Sequence, residues 1–267
     1  MPTDTVKQNI INFYFSIKHI TKDTILQNRD SSNLDTIYNK MMQLIPSDLS
    51  IDNLNSLLND QNIIKAIKKI DMYYTAYSIL KELELAHFII KSKNPWEALN
   101  NYKYYHNYVK LIKAEFNESR LKEGDNVLFL GSGPCPLTPI LLSSLYNINC
   151  TGIEQNGEAA KISMDLLIAL DLNKKVKILN GDHYDSSIFD NWDLIMIGES
   201  VRPKNECFEY LSKTLKTGSL VSHRINEKGF KRILETPFFH LPENFQLETK
   251  IYPGLPVYNT AIFYTIK

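Results

Sequence analysis

Apolar runs long enough to cross a bilayer are missing from this 267-residue sequence, since a membrane-spanning helix needs about 18–20 consecutive apolar residues. The first residues are polar and mixed in charge, without the apolar centre of a secretory signal. An excess of charge is missing too, because 30 basic side chains balance 30 acidic ones. A neutral chain has no general field to gather nucleic acid or anionic lipid. We therefore expect a cytoplasmic protein that binds neither nucleic acid nor membrane.

Cysteine is scarce, and its positions exclude the usual zinc sites. The three cysteines are Cys135, Cys150 and Cys207, and none forms a CxxC pair or a Cys/His pair with zinc spacing. The six histidines are dispersed and contain no HExxH motif. The sequence therefore predicts a reducing compartment and no metal site.

Glycine is absent from the first 120 residues, and helical periodicity is typical of this half. A long helix is predicted from about 70 to 91. Asn94-Pro95-Trp96-Glu97 reads as an N-cap followed by a first-turn proline and acid, so one further helix is expected from about 95 to 116. Two stripes of apolar residues precede them: Val6, Ile10, Phe13 and Ile17, then Leu34, Ile37, Met41 and Leu44. We expect residues 1–120 to form a helical bundle domain.

Short apolar strands alternate with helices from residue 126 onward. The predicted strands are 127–130, 150–153, 176–179, 194–197 and 219–223, with a final pair at 246–252 and 260–266. Helices are predicted at 137–146, 159–170 and 203–215. Such alternation is typical of a doubly wound, mainly parallel sheet. Residues 121–267 are thus expected to form a Rossmann-like domain in an α/β protein.

A glycine-rich turn follows the first predicted strand, at Gly131-Ser132-Gly133. Glycine allows a backbone to approach a ligand closely. Glu154 ends the second strand, where an acid can accept both hydroxyls of a ribose. Asp182 ends the third strand and could accept a hydrogen bond from an adenine amino group. Together they predict a nucleoside site.

Two prolines then distinguish this turn from dinucleotide-binding turns. Pro134 and Pro136 remove two backbone N–H donors, whereas a pyrophosphate is held by such donors at a helix N-terminus. A nucleoside without phosphate fits better. S-adenosylmethionine, an adenosine carrying a sulfonium amino acid, is such a ligand.

The turn Gly131-Ser132-Gly133-Pro134-Cys135-Pro136-Leu137-Thr138 resembles the GxGPxPLT turn of nicotianamine synthases. The resemblance runs from about residue 70 to the C-terminus and is similar to the short microbial members. It is also carried by Lys81-Glu82-Leu83-Glu84, Asn94-Pro95-Trp96-Glu97-Ala98-Leu99, Tyr102 to Tyr108, Glu154, Gly181-Asp182, Pro203-Lys204, Arg224 and Asn259-Thr260.

The resemblance implies a helical N-terminal domain on a Rossmann-like, methyltransferase-type domain. It also implies transfer of the 3-amino-3-carboxypropyl group of S-adenosylmethionine to an amine, with release of methylthioadenosine, in metallophore biosynthesis. The acceptor would be another S-adenosylmethionine or an amino acid, and S-adenosylmethionine would be a substrate, with no tightly bound cofactor. Glu82 would be the catalytic base and Tyr108 would orient the amine. The implied S-adenosylmethionine-binding residues are Gly131, Ser132, Gly133, Pro134, Leu137, Thr138, Glu154 and Asp182.

Three further residues are candidates for substrate binding. Arg224 follows the fifth predicted strand and could clamp a carboxylate with both arms of its guanidinium. Glu199 follows the fourth strand and could bind an ammonium group. Asn259 is included by the resemblance.

Two other functions are compatible with the same residues. A small-molecule methyltransferase would use Glu154 and Asp182 in the same way and would leave S-adenosylhomocysteine. A non-catalytic adenosine-binding sensor would bind the nucleoside without turnover. The nucleoside product therefore separates the three hypotheses.

Overall fold

The computed structural model describes residues 3–28, 30–46, 49–182, 184, 191–199, 201–227, 229–235, 240–255, 257 and 259–267. The helices are α1 (Thr3–Ile17), α2 (Lys22–Leu26), α3 (Ser32–Met42), α4 (Ile51–Leu58), α5 (Gln61–Lys91), α6 (Pro95–Asn100), α7 (Tyr105–Glu118), α8 (Leu137–Tyr146), α9 (Gly157–Ala169), α10 (Lys204–Thr214) and α11 (Gly229–Glu235). The strands are β1 (Asn126–Leu130), β2 (Asn149–Glu154), β3 (Val176–Asn180), β4 (Leu194–Ile197), β5 (Leu220–Asn226), β6 (Phe245–Ile251) and β7 (Asn259–Ile266).

Contacts divide the chain into two compact units. The first is Met1–Lys81 with Asn226–Phe239, and the second is Glu82–Ile225 with His240–Lys267. None of the described helices is long and apolar enough to cross a membrane.

The first unit is a bundle of helices around its own apolar core. The stripe predicted on α1 is confirmed, since all four of its side chains are buried. In and just after α3, Leu34, Met41 and Leu44 are buried, as their spacing predicts. α11 adds Phe230 and Ile233 to the same core. Helix α11 was not predicted from the sequence.

The second unit is built on a seven-stranded sheet in the order β3-β2-β1-β4-β5-β7-β6. The pairings β1–β2, β1–β4, β2–β3 and β4–β5 are parallel, and β6–β7 is antiparallel. The α/β class and the mainly parallel sheet are therefore confirmed. Strand order reverses between β1 and β4, and ligands of such sheets bind at the carboxyl ends of the strands beside this reversal.

The helical segment after Lys81 belongs to the second unit. Ala86, Leu99 and Ile112 share one apolar core with Val127 and Leu141 of β1 and α8. The contacts therefore place the boundary between the two units after Lys81. The change from helical periodicity to alternating strands and helices had predicted a domain boundary at residue 120. The reason is that the end of α5, α6 and α7 bury their apolar side chains in the core of the sheet unit.

The single helix expected from about 95 to 116 is wrong, because the structure has two helices there. The predicted cap at the start of α6 is present: Asn94 Oδ1 accepts from the Glu97 N–H at 3.3 Å. α6 ends at Asn100, and the next residue, Asn101, caps it. Asparagine competes for backbone hydrogen bonds and disfavours helix interiors, so two consecutive asparagines end the helix before α7 begins at Tyr105.

Candidate active site

The glycine-rich turn after β1 has a backbone that only glycine adopts without strain. Gly131 and Gly133 have φ angles of +75° and +66°, in the left-handed region. The N–H groups of Gly131 and Ser132 both donate to the Ile153 carbonyl at 3.0 Å. A Cβ on Gly131 would lie 2.6 Å from Val201 Cγ2. The turn is therefore fixed by β2 on one side and has no room for a side chain at Gly131.

The Glu154 carboxylate holds this turn in place. Its Oε2 accepts from the Gly133 N–H at 2.9 Å, and its Oε1 accepts from the Asn156 N–H at 2.8 Å. An ionised carboxylate offers about four acceptor positions, so each oxygen keeps a lone pair after these bonds. Glu154 can therefore fix the turn and still accept from two ribose hydroxyls.

Asp182 lies just past the end of the neighbouring strand. Glu154 is paired with Asn180 across β2 and β3, and the Gly181 N–H donates to the Glu154 carbonyl at 3.1 Å. The Asp182 side chain is exposed and accepts from the Tyr184 N–H at 2.8 Å. The structure thus brings both predicted acids to adjacent strand ends.

Glu82 approaches the turn from α5. A Cβ on Gly133 would collide with Glu82 Oε2, so this carboxylate lies directly against the turn. Burial, then the nearby charges of Glu154 and Glu199, raise the pKa of Glu82 from 4.5 to about 8. The described residues give Glu82 neither a hydrogen bond nor an ion pair. Three carboxylates therefore act on one another beside the turn, and one of them has no hydrogen-bonding partner in this part of the chain.

Aromatic and thiol groups surround the same carboxylate. Burial raises the pKa of the Tyr102 phenol, and Tyr108, Cys135 and Glu82 add to the shift. Burial, then Glu82, raises the pKa of the Cys135 thiol well above its ordinary value. Tyr108 is half-buried on α7. Tyr108 and Glu82 therefore both lie near Tyr102, which is partly buried against the core of this unit.

Arg224 on β5 is engaged by protein groups. Its Nε and Nη2 donate to the two oxygens of Glu115 at 2.7 Å each, and its Nη1 donates to Thr138 Oγ1 at 2.9 Å. Burial alone would lower the pKa of Arg224, but Glu115, followed by Tyr108 and Glu199, raises it above its ordinary value. Glu115 and Thr138 use three of the five guanidinium N–H groups, so a two-armed contact with a substrate carboxylate could form only through the N–H groups left on Nη1 and Nη2.

Glu199 and Asn259 face each other at the ends of two strands. Asn259 Nδ2 lies 3.5 Å from Glu199 Oε2, and Arg202 Nη1 donates to the Glu199 backbone carbonyl at 2.7 Å. Glu199 is also one of the charges that act on Glu82 and Arg224. These two candidates therefore lie in the same neighbourhood as the turn.

Several predicted binding residues in the turn, and just after it, are buried. The side chains of Ser132, Leu137 and Thr138 are 4%, 6% and 3% exposed, and Pro134 is buried too. A Cβ on Gly152 would lie 2.8 Å from Ser132 Cβ, which shows how closely Ser132 packs on β2. These side chains therefore pack into the protein around the turn.

Glu115 was not predicted from the sequence as a residue of the site. It is 2% exposed and carries the ion pair with Arg224. The available signal was its position: Tyr108, Leu111, Ile112 and Glu115 share one face of α7, and a charged residue on an otherwise buried face needs a partner.

Comparisons with known proteins show which sequences and structures this chain is similar to. The family model described as nicotianamine synthase protein matches residues 1–266. Nicotianamine synthase 1 of Arabidopsis thaliana is 26% identical over 214 residues, which are 73% of this chain and 65% of that protein. Nicotianamine synthase 2 of the same plant is 26% identical over 217 residues, with the same shares. The chain thus spans about 65% of the length of these curated relatives.

Two crystal structures of MtNAS share the fold. A glutamate-to-glutamine variant of MtNAS matches with a TM-score of 0.82 at 23% identity, covering 99% of this chain and 97% of that one. MtNAS in complex with MTA and tNA matches with a TM-score of 0.80 at 22% identity and the same coverage. At these identities the two structures show a common fold. The family model, in contrast, matches the sequence itself over residues 1–266. This chain belongs to the nicotianamine synthase family.

Proposed function

We propose that this chain transfers the 3-amino-3-carboxypropyl group of S-adenosylmethionine to an amine and releases methylthioadenosine. The observation that carries the proposal is the Glu82 carboxylate, which lies against Gly133 of the turn with a pKa raised to about 8. Membership of the nicotianamine synthase family supports it. The acceptor is another S-adenosylmethionine or an amino acid, and the product belongs to metallophore biosynthesis.

Binding of the nucleoside is assigned to the ends of β2 and β3. Glu154 keeps a lone pair on each oxygen after its two backbone bonds, so it can accept from both ribose hydroxyls. Asp182 follows on the adjacent strand and is exposed for the adenine amino group. The backbone of residues 131–133 carries no side chain at two of its three positions, which allows close approach of the sulfonium amino acid.

Choice of the transferred group is a problem of position. The sulfonium has three carbon substituents open to attack, of which the methyl is the least hindered. The enzyme must align the acceptor nitrogen behind Cγ and keep it away from the methyl. Such alignment contributes up to about 7–11 kcal/mol in ideal intramolecular reactions. We assign this orientation to Tyr108, which acts on Arg224 and, like Glu82, on Tyr102.

Removal of a proton from the acceptor is the second requirement. An α-amine has a pKa of about 8, and only its neutral form is nucleophilic. A base works best when its own pKa is close to that of the group it deprotonates and to the working pH. Glu82, with its pKa raised to about 8, meets both conditions. The attacking nitrogen forms its bond to Cγ, the Cγ–S bond electrons leave with methylthioadenosine, and the nitrogen's proton passes to Glu82.

The unpaired state of the cysteines supports a cytoplasmic location as part of this proposal. Cys135, Cys150 and Cys207 are all buried and free. A reducing compartment keeps such thiols in that form.

The nucleoside product tests the proposal. Purified protein is incubated with S-adenosylmethionine alone, then with S-adenosylmethionine and a mixture of amino acids, and the nucleosides are separated by mass spectrometry. Methylthioadenosine as the main product is expected, from the first incubation if S-adenosylmethionine is its own acceptor and from the second if an amino acid is needed. S-adenosylhomocysteine as the main product would establish methyl transfer, and binding without either product would establish a sensor.

A further inference from the structure

The Glu115–Arg224 ion pair joins three elements of the second unit. Glu115 lies on α7, Arg224 on β5, and Thr138 in the first turn of α8. The two bonds to Glu115 are 2.7 Å long, and the bond to Thr138 is 2.9 Å long. The Glu115 and Arg224 side chains are 2% and 12% exposed. A planar guanidinium held at three of its N–H groups has little freedom to move, so the three elements are fixed to one another at this point.

Tyr108 lies on the same helix as Glu115. Tyr108 and Glu115 are seven residues apart on α7, so they lie on one face of the helix, about 10 Å apart along its axis. Leu111 and Ile112, between them, are buried. Rotation of α7 about its axis is therefore restrained at Glu115. Tyr108 is on the face of the helix to which this restraint applies.

The third bond extends this restraint to the turn that follows β1. Thr138 is the second residue of α8, directly after the segment 131–136 that forms the turn. The Arg224 guanidinium is also influenced by Tyr108 and Glu199. One buried group thus sets the position of the Tyr108 helix relative to the turn that lies against Glu82.

Stability alone does not account for such a pair. Replacing a buried ion pair by apolar side chains of similar volume is often neutral or stabilising, because desolvation of two charges offsets their attraction. The geometry points instead to positional accuracy. We propose that Glu115 and Arg224 are positioning residues that hold Tyr108 in register with the turn at Gly133, an assignment that rests on the proposed transferase function.

Turnover in a matched variant separates positioning from stability. Glu115→Leu combined with Arg224→Met removes both charges and retains apolar volume, so its thermal midpoint is expected near that of the wild type. Its kcat for methylthioadenosine release is expected to fall on the order of 10²-fold, as small misplacements of catalytic groups do, with the Kd for S-adenosylmethionine changed less than about threefold. A double variant with both the kcat and the thermal midpoint of the wild type would overturn the proposal. If this variant does not fold, Arg224→Lys keeps the charge and loses the two-armed contact, and the same split between kcat and Kd is expected.

A double-mutant cycle with Tyr108 identifies the residue through which the pair acts. In a Tyr108→Phe background, loss of the pair is expected to lower kcat by much less than it does in the wild type, since the tyrosine hydroxyl that the pair positions is already gone. Equal factors in both backgrounds would refute the assignment. Arg120→Met is the control, because it removes the exposed ion pair with Glu248 at 3.6 Å and is expected to leave kcat unchanged.

Hydrogen exchange tests the pair without any reaction. In Glu115→Gln, faster amide exchange is expected in residues 105–118 and 131–141, with exchange in 149–154 unchanged. If the wild type releases no methylthioadenosine, the proposed function fails and this result still decides whether the pair holds these segments. Unchanged exchange in 105–118 would refute the positioning role even where the transferase activity is present.

Discussion

Glu82→Gln is expected to stabilise the folded protein, and to do so more strongly as the pH rises. In the folded chain, burial and the charges of Glu154 and Glu199 raise the pKa of Glu82 from 4.5 to about 8. Between these two pH values the folded state keeps a proton that the unfolded state has lost. The free energy of unfolding of the wild type therefore falls as the pH rises through this window, with the full loss reached above about pH 8. Glutamine has no charge to bury and escapes this loss.

The size of the effect follows from the two pKa values. At about 1.4 kcal/mol for each pH unit, the difference between 4.5 and about 8 sets a ceiling of about 5 kcal/mol. Glu82 is half-buried, and solvent near a carboxylate weakens such interactions, so we expect on the order of 2 kcal/mol. For a chain of this size that corresponds to a rise of about 4–8 °C in Tm.

Denaturant unfolding at pH 5 and pH 8.5 measures this directly. Glu82→Gln and the wild type should differ little at pH 5 and by the expected amount at pH 8.5. Asp165→Asn is the control, because it removes an exposed carboxylate from α9 and should show the same small difference at both pH values. A Glu82→Gln advantage that is equal at the two pH values, or a wild type that is the more stable protein at pH 8.5, would refute the burial of an unpaired charge at this site.

Three further outcomes follow from the site. Glu154→Ala should weaken S-adenosylmethionine binding by about 1–3 kcal/mol in calorimetry, because two ribose hydroxyls lose their acceptor; unchanged affinity would mean that the nucleoside binds elsewhere. Glu82→Gln should abolish most methylthioadenosine release while leaving that affinity nearly intact, and Tyr108→Phe should reduce release less, because it removes no base; the reverse order would contradict the assigned roles. Gly133→Ala should lose stability, since a left-handed φ costs a side chain about 1–2 kcal/mol, and should lose turnover as well, since the new methyl group displaces Glu82. The control for it, Gly124→Ala, has a φ of +89° with nothing within 4 Å and should lose stability alone.

The fold of the sheet unit was predictable because its signals are local. β4 and α8 have the bounds that their apolar runs and flanking turns predicted. β1 and β3 are longer than predicted by one residue at one end, and β2 by one residue at each end. Buried parallel strands read as continuous apolar runs, and each is followed here by a polar or glycine residue. The position of Glu154 at the end of β2 follows from the same pattern. The hydrogen bond from the Gly133 N–H to Glu154 was not part of that prediction, which gave Glu154 only as an acceptor for ribose hydroxyls.

The other features depend on tertiary contacts that leave a weaker trace in the sequence. Arg224 forms hydrogen bonds with Glu115, 109 positions away in the sequence, and with Thr138, 86 positions away. No local sequence pattern relates these residues. Residues 82–118 read as helical and so suggested a bundle, but their contacts are with the core of the sheet unit. The raised pKa of Glu82 arises from burial and from two carboxylates that the chain brings from 72 and 117 residues away. Periodicity identified the helix that carries Glu82, whereas its chemical environment is a property of the folded unit.

Two acids of the second unit, Glu115 and Glu82, differ in how their charges are balanced. Glu115 is more deeply buried, and its charge is balanced within the protein by the two-armed contact with Arg224. Glu82 lies against Gly133 beside Glu154 and Glu199, and the described residues provide it with no cation. The charges that act on Glu82 are those of Glu154 and Glu199, whereas Arg224 is engaged by Glu115. Among the described residues no positive charge balances Glu82, so under the proposed function its carboxylate is left to take the proton of the acceptor amine. Burial and the two neighbouring carboxylates raise the pKa of Glu82, so the instability expected at alkaline pH and the capacity to accept a proton have the same physical origin.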